Sequence, residues 1–208
     1  MTTEISRAAW AISFTGNIAS LFDIRKLFKA DGFDEESRDT IERIVGICGE
    51  LELLSLTHHH EALLRHLWVR AAANIVQGPL SAVDIDKAQE LHDKIERKFA
   101  EYPDESILKE LWVRAATGII LMRLFRGEVA GGITLYNRVK KLSDEHPDGA
   151  QLRKRRAVVT KTIFEAIYSI DRQAARTELE SLKKLSEAHP DEPDLRRTLL
   201  EMAVHAAT

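Results

Sequence analysis

Leu67-Trp68-Val69-Arg70-Ala71-Ala72 returns 44 residues later as Leu111-Trp112-Val113-Arg114-Ala115-Ala116. A second phrase returns with nearly the same period: Glu101-Tyr102-Pro103-Asp104, Glu145-His146-Pro147-Asp148 and Ala188-His189-Pro190-Asp191 are separated by 44 and 43 residues. Two unrelated phrases sharing one period mark an internal repeat, and the repeat decides the fold class. The Pro-Asp phrase acts as punctuation. Proline biases the residue before it out of the α region. An aspartate behind the proline is expected to cap the next helix by accepting from its free amides. Each phrase therefore predicts the end of one helix and the start of another.

Between these marks the apolar spacing is helical. Eight residues before each proline stand Ile95, Val139 and Leu182, and fifteen before stand the small residues Ala88, Gly132 and Ala175. Five residues after each proline stand Leu108, Leu152 and Leu195. A small residue at a fixed place predicts close approach of two helices. Subtracting the period from Pro103 lands on His59, so His58-His59-His60 is predicted to occupy the same junction. Glu35 to Leu56 then reads as the second helix of a first pair, with Thr3 to Ala30 as its partner and Asp31-Gly32 as the break. Composition agrees with an all-α chain: only 10 Gly and 5 Pro interrupt 208 residues, with 44% hydrophobic and 30% charged content.

Trp112 is followed at three, four and seven residues by Ala115, Ala116 and Ile119, and Trp68 likewise by Ala71, Ala72 and Ile75. Gly127 stands at the turn between two helices, and Gly132, Tyr136, Val139 and Pro147 follow in order. In this order the chain resembles the tetratricopeptide repeat family from about Leu64 to Ala206, with Arg156, Val159, Thr160 and Ile163 in the Trp set of the fourth unit. The family unit is about 34 residues, and roughly one extra turn per segment makes up the longer period, which keeps the packing face in place. The resemblance implies a right-handed superhelical array of antiparallel helix pairs, a tetratricopeptide-like α-solenoid of about nine helices. It would form one domain over 1–208, with pairs at about 3–56, 60–102, 104–146 and 148–189 and a capping helix at 192–206.

Motifs that carry chemistry are missing from the chain. It contains no His-Glu-x-x-His, no Gly-x-Ser-x-Gly and no phosphate-cradling glycine loop, and Gly131-Gly132 reads as a turn at a helix start. Adjacent histidines on a helix point about 100° apart and do not converge on a metal, so His58-His59-His60 reads as a polar junction. Cys48, the single cysteine, lies in an apolar stretch and reads as core. The expectation is a non-enzymatic protein without metal or cofactor. The segment Ala8 to Phe22 is too short and polar to span a bilayer and lacks a basic start, so a cytoplasmic location is expected.

Charge sorts by helix. Leu64 to Gln77, Leu108 to Arg126 and Leu152 to Ser169, the first helices of their pairs, together carry a net +9 in a chain whose overall charge is −3. The second helices are acidic or balanced. In the family the first helices line a concave groove. The resemblance therefore implies a basic inner face that binds an acidic peptide or protein segment through His66, Arg70, Arg114, Lys154 and Lys161. Some members clamp a terminal carboxylate with an added Asn, where this chain has Ala73 and Thr117. Arg70 and Arg114 have a second reading, as partners of carboxylates on neighbouring helices. The Arg153-Lys154-Arg155-Arg156 run opposes the helix dipole, which suggests an anion there. Alternative readings are an RNA-binding helical repeat, a self-associating chain pairing through Ala8 to Phe22, and an immunity-type regulatory partner of one enzyme. Nucleic acid is disfavoured by the negative net charge and by aromatics at core-like places.

Overall fold

Four tight turns punctuate residues 35–207, the part of the chain that the computed structural model describes. Each is closed by an amide three residues on. Glu61 donates to the His58 carbonyl at 2.9 Å, Glu105 to Tyr102 at 3.2 Å, Gly149 to His146 at 3.0 Å and Glu192 to His189 at 3.2 Å. Proline suits the second place of such a turn because its φ is preset, and His59 holds that place in the first turn, as the period requires. The aspartates correct the sequence expectation. Asp104, Asp148 and Asp191 lie inside the turns, and the helices begin only after the turns close, at Ser106, Ala150 and Pro193. The residues before those starts are Glu105, Gly149 and Glu192. Side-chain caps occur instead on second helices: Asp84 Oδ1 accepts from Lys87 N at 3.0 Å, and Asp171 Oδ1 from Gln173 N at 3.0 Å and Ala174 N at 2.9 Å.

Among the described residues the chain is all-α, with nine helices. They are α1 (Glu35–Thr57), α2 (Ala62–Gln77), α3 (Pro79–Val83), α4 (Ile85–Glu101), α5 (Ser106–Phe125), α6 (Val129–Glu145), α7 (Ala150–Ile167), α8 (Arg172–Ala188) and α9 (Pro193–Ala207). The expected helix Thr3 to Ala30 lies outside the described residues. The short α3 is an addition that the sequence did not announce. Pro79 starts it, and Ser81 Oγ ties it back to the Val76 carbonyl. Between α5 and α6 the chain reverses at Gly127, whose φ of 77° is left-handed, with the Glu128 amide donating to the Arg123 carbonyl at 2.7 Å. A glycine is favoured at such a helix end because it has no Cβ to oppose positive φ. Gly131 and Gly132, expected at a turn, sit in the first turn of α6.

The chain divides into two compact units, residues 1–119 and 120–208. In the first, α1 packs on α2, α2 on α4, and α3 touches all three. In the second, α7 packs on α6, α8 and α9, and α8 on α9. The recurring apolar positions form the cores. Ala88, Ile95, Leu108 and Trp68 are buried in the first unit, and Val139, Ala175, Leu182, Leu152 and Leu195 in the second. Each large side chain so buried contributes about 2 kcal/mol. Gly118 of α5 marks the tightest approach in the first unit. A Cβ there would stand 2.5 Å from the Gln77 Cα and the Val76 carbonyl oxygen at the end of α2. Among the described residues no helix is long and apolar enough to cross a membrane.

Candidate functional site

In the first unit the candidate cations stand on α2 and α5. His66 is half-buried, with Nε2 at 2.6 Å from Glu105 Oε2. The neighbouring Arg65 is buried, bonds the same carboxylate, donates to the His59 carbonyl at 3.1 Å and lies 3.6 Å above the Tyr102 ring. Burial pushes the Glu105 pKa up, and the bonds from Arg65 and His66 outweigh it and hold the carboxyl below its usual range. Arg70 is exposed and has no hydrogen bond or ion pair among the described residues. Arg114 is half-buried, and its Nε donates to Gln77 Oε1 at 2.5 Å. Arg70 and Arg114 occupy the same repeat place, 44 residues apart, on helices whose close packing puts their axes about 8–10 Å apart.

In the second unit the candidate cations are met by the chain's own acids. Lys154 Nζ lies 2.7 Å from Asp194 Oδ2, and Lys161 pairs with Glu201 and, at 3.8 Å, with Glu165. The two lysines are seven residues apart on α7, and the two α9 acids are also seven apart, so the ladders register. The hydrogen bonds from Lys154 and Lys161 hold the Asp194 and Glu201 carboxyls below their ordinary range. The basic run at the start of α7 is satisfied in the same way. Arg153 pairs with Glu192 and donates to the Pro147 carbonyl, and Arg156 pairs with Asp144 and donates to Ser181 Oγ at 3.3 Å. For Arg153, Lys154 and Arg156, the anion suggested by that run is thus supplied from within the protein.

Two features escaped sequence reasoning. Arg65–Glu105 and Arg153–Glu192 are the same device twice. In each, an arginine six places after the turn's second residue bonds its own turn's carbonyl and the glutamate that closes the next turn. The signal was present, since Arg65 and Arg153 share one repeat place and Glu105 and Glu192 another, while the intervening unit has Lys109 and Gly149 there. The second feature is on α4, where His92, Asp93 and Glu96 bring donor atoms within 4.8 Å of one another, the imidazole buried and Asp93 exposed. His92 and Glu96 are four apart, the spacing that shares a helix face. His59 and His60 are exposed at the first turn, their rings meeting edge to face at a centroid distance of 5.6 Å.

Other polar and apolar features belong to the cores. The Tyr136 hydroxyl bonds Glu178 and lies 3.0 Å from Thr160 Oγ1, and Lys140 Nζ stands 3.2 Å from Glu178 Oε2. Burial and the Glu178 charge push the phenol pKa upward. A cleft of about 310 Å³ opens between α1, α3 and α4, with Ile41, Val45, Leu80 and Val83 as its apolar walls. No family model, curated protein or solved structure matches the chain.

Proposed function

We propose that the chain is a non-enzymatic protein-interaction scaffold, a tetratricopeptide-like helical array whose first helices hold an acidic segment of a partner protein at Arg70 and Arg114. The observation that carries this reading is Arg70, exposed and without an ion-pair partner among the described residues, while Lys154 and Lys161 at the inner places of α7 already have carboxylates. A ligand carboxylate gains most where no existing pair must be broken. Arginine adds a planar fork that matches a carboxylate. Arg114 stands at the same repeat place on the neighbouring α5 and adds a second cation beside Arg70, although its Nε already donates to Gln77 Oε1 at 2.5 Å. A protein ligand is favoured over RNA because Trp68 and Trp112 are buried and offer no stacking platform.

Affinity capture with the wild-type chain, Arg70→Glu and Arg70→Glu/Arg114→Glu tests the reading. Loss of a salt-sensitive partner in both variants, with helical content unchanged by circular dichroism, is the expected result. A partner set identical across all three proteins would remove these arginines from the site.

A further inference from the structure

The helices α2, α7 and α9 occupy the same place in their respective repeats, and one face of each can be compared residue by residue. On α2 that face is Arg65, Val69, Ala72 and Val76; on α7 it is Arg153, Ala157, Thr160 and Phe164; on α9 it is Arg196, Leu200, Ala203 and Ala207. The spacing of four, three and four keeps each set on one stripe of its helix. All eight residues on α2 and α7 are buried. All four on α9 are exposed, with Leu200 at 65% against 0% for Val69 and 1% for Ala157. Val204, at 62%, extends the bare stripe.

Each of the two buried stripes meets the first helix of the following repeat. On α2 it is α5, entering with Glu105 against Arg65 and running parallel until Gly118 meets Val76. On α7 it is α9, entering with Glu192 against Arg153 and running parallel until His205 meets the Phe164 ring at 5.7 Å. Both covering helices thus carry a glutamate immediately before their first turn, and in both cases it bonds the arginine that heads the stripe. Arg196 heads the stripe on α9, and it has no hydrogen bond or ion pair among the described residues.

We propose that the Arg196–Leu200–Ala203–Ala207 stripe of α9 is a docking surface for an amphipathic helix of a partner protein. That helix lies parallel to α9 with a glutamate at its N-terminal cap on Arg196 and an apolar face on Leu200 and Val204. The charge complementarity is the one the protein uses twice within itself, and the stripe shape is the one its own helices fill. This surface is separate from the inner-face arginines and does not depend on them.

A peptide of residues 189–207, the segment that fills the equivalent stripe on α7, is the probe. It is labelled with a fluorophore and titrated with the full 208-residue chain while anisotropy is followed. Saturable binding is expected, weakened at least about tenfold by Leu200→Glu in the chain. Arg196→Glu in the chain should weaken it similarly, and a peptide carrying Glu192→Arg should restore binding to that variant. Both substitutions are at exposed positions, and circular dichroism checks that the fold is kept. Sedimentation of the chain alone at the same concentrations should show a monomer. Absence of binding overturns the proposal. So does binding indifferent to Arg196→Glu, which would mean that the peptide displaces α9 from α7. Self-association of the chain that Leu200→Glu abolishes also overturns it, because the occupant would then be a second copy.

Discussion

The first unit leaves Arg70 exposed, whereas the second matches Lys154 and Lys161 to Asp194 and Glu201. The two helices hold the same place in the repeat, but their inner cations do not correspond. The place of Lys154 is held on α2 by His66, which also meets a carboxylate, Glu105; the place of Lys161 is held by Ala73, and that of Arg70 by Val158 on α7. Where α9 presents Asp194 and Glu201, α5 has Ile107 and Arg114 at the equivalent places. The repeat thus preserves positions, while side chains on both helices decide where an inner cation meets an internal carboxylate. The units also differ in how closely their helices meet. Gly118 in the first faces backbone, and Gly132 in the second faces the Leu124 side chain.

The largest test of this contrast is the glycine pair. Gly118→Ala should cost about 3 kcal/mol in urea unfolding, because a backbone neighbour at 2.5 Å cannot yield without moving α2. Gly132→Ala should cost about 1 kcal/mol or less. Its nearest neighbour is the Leu124 Cδ2 at 3.0 Å, which can turn aside, and alanine favours the helix. Equal costs would erase the distinction between the units. Next come the buried arginines. Arg65→Met and Arg153→Met should each cost about 2 kcal/mol, below the usual loss for a broken buried pair because Glu105 and Glu192 keep about a quarter of their side-chain surface in water. The two losses should add, since the pairs share no partner. A marked departure from additivity would show that the two devices are coupled.

Much of this architecture was legible in the sequence because it is periodic. The Trp, Ala and Leu positions recur at one spacing, and Trp68, Ala88, Leu108 and Leu195 are buried where the period puts them. What stayed hidden lacked a second copy or lay far along the chain. The helix α3 occurs between α2 and α4 only, so no repeat announced it. The carboxylate partners of Arg65, Arg153, Lys154 and Lys161 stand 39 or 40 residues downstream, just short of one period, and helix-by-helix charge counting separates them. The aspartates were misplaced because a turn of four residues and a cap one residue later read alike in sequence.

Two smaller effects sharpen the comparison. Lys154→Glu should lower the melting temperature slightly by setting like charges on Asp194, whereas Arg70→Glu should leave it unchanged within error, since no described partner is lost. A stability loss for Arg70→Glu would mean that its carboxylate is internal after all. The pH dependence of Glu105 is the most modest. Its carboxyl is depressed in the folded state by Arg65 and His66, so its contribution is present above the unfolded value, near pH 4.3, and fades as pH falls through the lower folded value. Acid melting curves of Glu105→Gln should therefore fall less steeply below about pH 4.3 than those of the wild type. Parallel curves would show that the carboxylate is not stabilised.

Cys48, on the buried face of α1, is 2% exposed, and burial and the nearby Glu52 push its thiol pKa up to about 12. The protein therefore carries a single built-in stopwatch. At neutral pH an alkylating reagent can find this sulfur only during moments when α1 has lifted from its neighbours, so the labelling rate counts those excursions one molecule at a time. Mass spectrometry of the labelled chain would clock the opening of the first unit without any introduced probe.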